Sequence, residues 1–256
     1  MAARPQTGVE AADVVYVEPV EGGASRLIAV FASNVPPIVG PVRSARETDL
    51  ALLPQFGFPT LAFSGAAPEL LPDIDAAPLH DASPAGVPAA YFRDSARSAP
   101  HNLYVRPDRL PPGGGWSPQA PLVFGPPPAG GVPTSHEEVH YESASIGFSW
   151  SQDTGRWLVS MDGAPYSTAG AGRIGAGTVV IQHVPVRDSA LSDSLGNVTP
   201  FAETVGSGRA TVLRDGLAFE ASWSRPAPEV GTTYTTPEGH PLPFAPGQVW
   251  TVLAPA

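Results

Sequence analysis

The sequence contains no lysine, no cysteine and no long apolar run. Because cysteine is absent, disulfides, thiolate nucleophiles and cysteine-ligated metals are excluded. No segment approaches the roughly 18 consecutive apolar residues of a membrane-spanning helix, and residues 1–6 lack the apolar core of a signal peptide. The sequence therefore predicts a soluble chain with no membrane-spanning segment. If the protein is exported, we expect its leader to have been removed.

Positive charge is also scarce. The chain carries 14 Lys+Arg against 24 Asp+Glu, which gives a formal net charge of −10 at pH 7. This balance excludes nucleic acid as a partner, since binding the phosphate backbone requires a basic face. Every cation is an arginine, whose planar guanidinium binds a carboxylate or a phosphate through two parallel hydrogen bonds. A local anion-binding pocket is therefore compatible with the composition.

Proline and glycine are abundant, with 32 and 27 residues, well above their usual shares of about 5% and 7%. Such a composition favours loops and short strands over long helices. Hydrophobic residues nevertheless make up 42% of the chain, which is enough apolar material to fold around a core. We expect a β-rich globular protein.

The N-terminal part of the sequence mixes strand and helix signals. Runs of β-branched and aromatic residues at 13–18 and 27–31 predict two strands joined by a Glu-Gly-Gly turn. Apolar residues at helical spacing predict a helix over 45–56 that begins after Ser44. A third strand is predicted at 59–64.

Residues 107–133 are rich in proline and glycine, which is typical of a linker. The segments that follow carry strand signals only, among them an Asp215-Gly216 pair placed as in a β-hairpin. This pattern predicts an α+β fold. We expect an N-terminal mixed α/β portion at 1–106, a linker at 107–133, and a smaller β-rich C-terminal portion at 134–256.

A short arginine motif occurs twice, as Arg43-Ser-Ala-Arg46 and as Arg93-Asp-Ser-Ala-Arg97. The first copy lies at the predicted helix start, where free backbone N–H groups also attract anions. We predict a ligand-binding site from these motifs and nearby polar residues, and its candidates are Arg43, Ser44, Arg46, Arg93, Asp94, Arg97, His101, Asn102, Tyr104, Glu18, Glu21 and Arg26. The alternative is that each arginine is structural and pairs with a carboxylate. No catalytic residue is assigned.

Two formal motif matches do not fit their context. His136–His140 matches the zinc-protease pattern H-E-x-x-H, but the residues after it alternate like a strand, in which residues four apart lie about 13 Å from each other. The glycines at 170–175 match G-x-G-x-x-G but precede a strand instead of following one. We therefore predict neither a metal site nor a cofactor.

Short segments spread over nearly the whole chain match the motifs of one bacterial family. They are 3–8, 12–16, 20–23 with Arg26, 38–46, 92–94, 99–104, 205–210, 214–216, 223–226 and 246–250. In content, order and spacing they resemble the YerB-like bacterial lipoprotein family, which carries domain of unknown function 3048 in N- and C-terminal parts. The resemblance implies a two-part architecture and an extracytoplasmic, lipid-anchored protein of the cell envelope. The absence of a leader and of a lipobox cysteine indicates either a trimmed mature domain or a departure from that pattern. It implies no activity.

Three functions follow from these observations. The first is a non-enzymatic cell-envelope module whose arginine cluster binds an anionic or carbohydrate cell-wall ligand or a cell-wall protein. The second is an enzyme acting on a phosphorylated or pyrophosphate-linked wall precursor, because the strand at 27–31 and its arginine-containing loop are similar in pattern to the LytR-CpsA-Psr phosphotransferases. Its acid/base candidates are Asp94, His101, Glu18 and Glu21. The third is a structural scaffold.

Overall fold

The computed structural model describes residues 3–114, 122–193 and 195–256. Part of the predicted linker, 115–121, lies outside the described residues. Strands make up 42% of the structure and helices 13%, so the protein is rich in sheet and the expected α+β class is matched only loosely. The strands are β1 (Val14–Pro19), β2 (Ser25–Val30), β3 (Thr60–Leu61), β4 (His80–Asp81), β5 (Tyr91–Arg93), β6 (Leu103–Val105), β7 (Val132–Pro133), β8 (His136–His140), β9 (Ser145–Ser151), β10 (Arg156–Met161), β11 (Ala164–Pro165), β12 (Ser167–Thr168), β13 (Gly172–Arg173), β14 (Gly175–Ala176), β15 (Thr178–Val184), β16 (Val186–Ser192), β17 (Val198–Ala202), β18 (Gly206–Arg214), β19 (Leu217–Arg225), β20 (Thr233–Thr235) and β21 (Val249–Pro255).

The helices are short. The α-helices are α1 (Glu47–Leu52) and α2 (Leu71–Ala76), and 3₁₀ turns occur at Val9–Ala11, Glu21–Gly23, Leu53–Phe56, Pro68–Leu70, Pro88–Ala90 and Pro107–Arg109. Proline occupies one of the first two positions of α2 and of several 3₁₀ turns. A proline at such a position begins a helix without losing a hydrogen bond, but it cannot extend the helix before it.

One large sheet organises the molecule. Its strand order is β2-β1-β21-β15-β18-β19-β20, and β7 also pairs with β19. β21 lies parallel to both β1 and β15, while the other pairs are antiparallel. β1 and β21 are buried over nearly their whole length, as expected for central strands covered on both faces. Strands from both sides of residues 107–133 therefore form one sheet.

Alternate residues of β1 point to opposite layers of the core. Val15 and Val17 belong to a cluster with Phe148 and Trp157 from the second sheet, which is formed by β8, β9, β10, β11 and β14. Val14 and Tyr16 belong to a different cluster that includes Leu52, Phe56 and Trp223. The large sheet is thus covered by the second sheet on one face and by α1 with its following 3₁₀ turn on the other.

Local predictions agree with the structure where short-range pattern decides. The predicted strands at 13–18 and 27–31 correspond to β1 and β2, and Asp215-Gly216 forms the turn between β18 and β19 with φ of 52° and 74°. The predicted helix over 45–56 is shorter, because α1 ends at Leu52 and a 3₁₀ turn containing Pro54 follows. The strand predicted at 59–64 is reduced to β3.

The two formal motifs lie in strands. His136–His140 is β8, so its two histidines are not on one face of a helix. His136 Nδ1 lies 3.0 Å from Ser149 Oγ, and His140 Nε2 lies 3.5 Å from Glu138 Oε2. The glycine segment at 170–175 contributes β13 and the first residue of β14.

Candidate functional site

A large cleft runs along β2, the edge strand of the large sheet. Its volume is about 2130 Å³, compared with roughly 300–1,000 Å³ for ordinary small-molecule pockets. All six residues of β2 line it, and most of the remaining lining comes from 35–46, 59–63 and 105–114. Many of these residues are apolar or proline, so the polar groups of the cleft are concentrated in a few side chains.

Charged and polar residues from the β1–β2 hairpin and the start of α1 meet beside this cleft. We call this set the charged cluster, and its members are Glu18, Glu21, Arg26, Arg43, Ser44, Arg46 and Asp49. All except Glu18 line the cleft. The pairing register of the hairpin places Glu18 opposite Arg26, and the Arg26 guanidinium donates to the Ser44 carbonyl at 3.0 Å.

Arg46 and Glu21 form a buried ion pair within the cluster. Arg46 Nε lies 2.7 Å from Glu21 Oε1, and Arg46 Nη2 donates to Oε2 at 2.8 Å. The Thr199 hydroxyl also donates to Oε1, at 2.5 Å. Burial raises the pKa of Glu21, but the hydrogen bonds from Arg46 and Thr199 outweigh it, so the pKa lies below its ordinary value. Glu21 is therefore a charged carboxylate whose oxygens are already engaged.

Asp49 caps the start of α1 from inside the cluster. Its Oδ2 accepts a hydrogen bond from the Arg46 backbone N–H at 2.7 Å, which satisfies one of the free donors at the helix N-terminus. Burial raises the pKa of Asp49 to about 6, although this hydrogen bond and the charges of Arg26 and Arg46 act to lower it. One backbone donor at the helix start is thus bound by the protein's own carboxylate.

Glu18 is fully buried at the base of the cluster. Within the described residues, neither of its carboxylate oxygens has a hydrogen-bond partner. Burial, and then the nearby charge of Asp49, raises the pKa of Glu18 well above its ordinary value, while Arg26 and Arg46 act in the opposite direction. The protonated form of Glu18 is therefore favoured by the fold, because a second unpaired carboxylate beside Asp49 would be costly.

Arg43 differs from Arg46 in its partners. Its Nη1 donates to the Pro100 carbonyl at 2.8 Å and lies 3.5 Å from His101 Nδ1. In the described part of the chain, no carboxylate lies within ion-pair distance of Arg43, whereas Arg46 is paired with Glu21. Burial and the charge of Arg46 lower the pKa of Arg43. Burial and Arg43 likewise lower the pKa of His101.

The second arginine motif lies apart from the cleft. Arg93 Nη1 donates to Asn102 Oδ1 at 2.7 Å, and Asn102 Nδ2 donates to the Arg97 carbonyl at 3.2 Å. The Arg97 guanidinium donates to the Pro5 carbonyl at 2.7 Å. Asp94 Oδ1 accepts the Ala96 N–H at 2.9 Å. These bonds hold the 94–102 loop to itself and to the N-terminal segment, and none of Arg93, Asp94, Arg97 and Asn102 lines the cleft.

Tyr104 is also separate from the cleft. It is buried, stacks on Phe92 with ring centroids 5.7 Å apart, and packs over Gly40. A Cβ on Gly40 would lie 2.5 Å from Tyr104 Cδ1. The sequence thus predicted one site from twelve residues, and the structure brings Arg43, Ser44, Arg46, His101, Glu21 and Arg26 to the cleft, with Glu18 beneath them and the remaining five elsewhere.

Sequence reasoning missed two contributors. Asp49 stands three residues after Arg46, which is the acidic N3 position of a capping pattern, so a signal for it was present. Thr199 binds Glu21 across 178 residues of sequence, and no local pattern indicates that contact.

Two kinds of feature are absent from residues 3–114, 122–193 and 195–256. No three His, Asp or Glu side chains in these ranges are grouped so that they could hold a metal ion. None of the helices there has the length and apolar character needed to cross a membrane.

Two family descriptions match the chain. Residues 1–113 match "Protein of unknown function (DUF3048) N-terminal domain", and residues 137–251 match "Protein of unknown function (DUF3048) C-terminal domain". The segment between the two matches, 114–136, contains most of the proline- and glycine-rich 107–133.

One similar protein is "Putative lipoprotein YerB" of Bacillus subtilis (strain 168). It is 26% identical over 268 residues, which cover 99% of this chain and 78% of that protein. The crystal structure of YerB from Bacillus subtilis has a TM-score of 0.82 and 20% sequence identity, and the match covers 100% of this chain and 87% of the YerB chain. The fold is therefore that of YerB, and the chain belongs to the DUF3048 family.

Proposed function

We propose that this protein is a non-enzymatic, extracytoplasmic module of the cell envelope that binds an anionic cell-wall ligand in the cleft. The observation that carries this proposal is the state of Arg43. Its guanidinium borders a cleft of about 2130 Å³, and no carboxylate of the described residues is paired with it.

The electrostatic environment of Arg43 supports anion binding. A guanidinium has several N–H donors in a planar fork, and the Pro100 carbonyl accepts a hydrogen bond from only one end of it. The lowered pKa of Arg43 reflects burial and repulsion from Arg46. A carboxylate or phosphate at this position would offset both effects, because it would supply the missing opposite charge and accept the free N–H groups.

The carbohydrate form of the hypothesis has less support. An amide such as Asn102 and an aromatic ring such as Tyr104 are side chains of the kind that contact sugars, and both are engaged in the packing described above. Of the tryptophans within the described ranges, none lines the cleft. We therefore assign recognition to an anionic group of a wall polymer, with sugar contacts limited to the apolar lining.

The proposed location rests on the relatives. YerB carries the name of a lipoprotein, which is consistent with a protein held at the cell envelope. An anionic cell-wall ligand, as proposed, would be consistent with that location.

The test is binding of soluble peptidoglycan fragments and of a phosphodiester wall polymer, measured by calorimetry. Removal of a charge-assisted hydrogen bond at Arg43→Ala is expected to weaken binding by about tenfold or more. The matched control is Arg209→Ala, which removes an exposed arginine of β18 that does not line the cleft and should leave the affinity unchanged. Binding that is absent for both probes, or equal in wild type and Arg43→Ala, would overturn the proposal.

A second candidate, an enzyme acting on a pyrophosphate-linked wall precursor, is favoured by one observation. Asp49 lines the cleft between Arg26 and Arg46 and has a pKa raised to about 6, a range suited to a general acid or base. Turnover of a lipid-pyrophosphate substrate that is lost in Asp49→Asn, with the fold intact, would support it. Turnover that is equal in Asp49→Asn and wild type would contradict this role.

A further inference from the structure

We propose that the outer edge of β2 binds an extended peptide segment by strand addition, with a carboxylate of that peptide beside Arg43. This inference rests on the proposed function and specifies the ligand class as an acidic or carboxyl-terminated peptide. Strand addition to a free sheet edge is a general mode of peptide recognition, in which main-chain hydrogen bonds give affinity and alternate side chains give specificity.

β2 has one hydrogen-bonded edge and one free edge. It is the terminal strand in the order of the large sheet, and within the described residues no strand pairs with its outer side. The Val20 N–H donates to the Ala24 carbonyl, and the Val249 N–H donates to the Asp13 carbonyl. Within β1 these bonds place the even-numbered residues toward β2, and Asp13, just before the strand, also donates its N–H to the Val30 carbonyl.

The register then identifies the free backbone groups. Glu18, Tyr16 and Val14 lie opposite Arg26, Ile28 and Val30, and with this parity they occupy the hydrogen-bonded positions of the ladder. Because backbone groups of successive strand residues point to alternate sides, the N–H and C=O groups of Ser25, Leu27 and Ala29 face away from β1. No hydrogen bond from these groups to another described residue is present.

This edge lacks the usual protection against strand addition. Natural edge strands carry outward charges, proline, bulges or a covering element. β2 contains no proline and pairs with β1 in continuous register. Its one charged residue, Arg26, turns to the Ser44 carbonyl. The edge is instead recessed in the cleft, where a single extended chain can enter.

The length and apolar lining of the cleft fit one extended peptide. β2 has six residues, which corresponds to about 20 Å of strand, and the cleft of about 2130 Å³ follows its full length. Leu27 and Ala29 pack toward one core layer, and Ile28 and Val30 toward the other. Apolar side chains of a peptide can therefore be accommodated on both faces of the added strand.

The positive charge of Arg43 favours an acidic peptide as the ligand. The Arg26–Ser44 hydrogen bond joins β2 to the residue next to Arg43 in the chain. Arg43 has no carboxylate partner in the described structure, and the like charge of Arg46 repels it. A carboxylate at the end of the added strand would neutralise this group.

The probe is a displayed library of random decapeptides, followed by the enriched peptide in synthetic form. The measurement is amide hydrogen exchange by NMR with and without the peptide. We expect the amides of Ser25, Leu27 and Ala29 to exchange rapidly in the free protein and to become at least tenfold more protected when the peptide is bound. The neighbouring amides of Arg26, Ile28 and Val30 serve as internal controls and should be protected in both states.

Two variants extend the test. Ala29→Pro removes one outward N–H and should weaken binding by about tenfold. Because this variant could fold poorly, the second arm changes only the ligand. N-methylation of alternate peptide residues should abolish binding when the methylated N–H groups are those that face β2. N-methylation of the other alternate set should have no effect. A peptide that binds without protecting the outward amides, or that tolerates N-methylation in both registers, would overturn the inference.

Other outcomes separate this inference from the proposed function. If no peptide is enriched but the wall polymers bind in an Arg43-dependent manner, strand addition is wrong and the proposed function stands. If neither polymers nor peptides bind, both are wrong. Outward amides that are protected without peptide, increasingly at higher protein concentration, would assign the edge to a second copy of the chain and overturn the peptide inference.

Discussion

The Arg46 guanidinium contacts both carboxylate oxygens of Glu21, with Nε 2.7 Å from Oε1 and Nη2 2.8 Å from Oε2. The pair joins the turn after β1 to the residue before α1. Both side chains are largely buried, with 14% and 7% of their surfaces exposed. This pair gives Arg46 a structural role, whereas the proposed ligand contact is at Arg43, although the two arginines stand in the same short motif.

Arg46→Ala is expected to lower the free energy of unfolding by about 2–4 kcal/mol, because it leaves the buried carboxylate of Glu21 unpaired. The measurement is urea unfolding at neutral pH. The control is Glu203→Ala, which breaks an exposed ion pair with Arg187 and should cost less than about 1 kcal/mol. Equal effects of the two variants would show that the Arg46–Glu21 pair is not buried as described.

Asp49 should make stability depend on pH. Its pKa is raised to about 6 in the folded protein, so its proton is held more tightly in the folded than in the unfolded state. The stabilisation that protonated Asp49 provides is complete below about pH 4 and is lost as the pH rises through about 6. In Asp49→Asn, whose side-chain oxygen can still accept the Arg46 N–H, this loss should be absent.

The expected difference between wild type and Asp49→Asn is on the order of 2 kcal/mol between pH 4 and pH 7. Urea unfolding at intervals over this range measures it. Parallel profiles for the two proteins would mean that burial does not raise the pKa of Asp49.

Arg225 should be essential for stability even though it has no carboxylate partner among the described residues. It is fully buried, and its guanidinium donates to the Thr204 hydroxyl at 3.0 Å and to the Ala51 carbonyl at 2.8 Å. Arg225→Leu leaves these acceptors unsatisfied, including one near the end of α1, and is expected to cost about 3 kcal/mol or more. Thermal unfolding should show a large decrease in Tm. Arg209→Leu, an exposed position on β18, should change Tm little.

Gly40→Ala should destabilise the protein by about 1–3 kcal/mol, because the added methyl group would lie 2.5 Å from Tyr104 Cδ1 and 3.0 Å from the Leu103 carbonyl. The matched control is Gly86→Ala, whose new Cβ would be 3.6 Å from its nearest neighbour. Chemical unfolding of both variants measures the difference. If Gly40→Ala were as stable as Gly86→Ala, Tyr104 would not be packed against Gly40.

The parts of the fold that could be predicted are those set by short-range pattern. β1 and β2 follow from two runs of β-branched residues, and the turn at Asp215-Gly216 follows from the left-handed backbone that such a pair adopts. The pairing of β1 with β21 joins segments more than two hundred residues apart. No local signal specifies that pairing, so the formation of one sheet by both halves could not be predicted.

The candidate site was predictable in composition but not in geometry. The repeated arginine motif suggested that Arg43, Arg46, Arg93 and Arg97 act together. In the structure, a carbonyl acceptor near the N-terminus holds Arg97, and Asn102 holds Arg93. These partners depend on how loops pack, and spacing along the chain does not encode them.

The most direct test of the account is an NMR titration of the arginine side chains. The chain has 14 arginines and no lysine, so selective ¹⁵N-arginine labelling reports every side-chain cation. On titration with a phosphodiester wall polymer, we expect the largest shift at the Arg43 side chain, with Arg93 and Arg97 unchanged. Shifts centred on Arg93 and Arg97, or no shift at Arg43 while the polymer binds, would contradict the assignment of the ligand to the cleft.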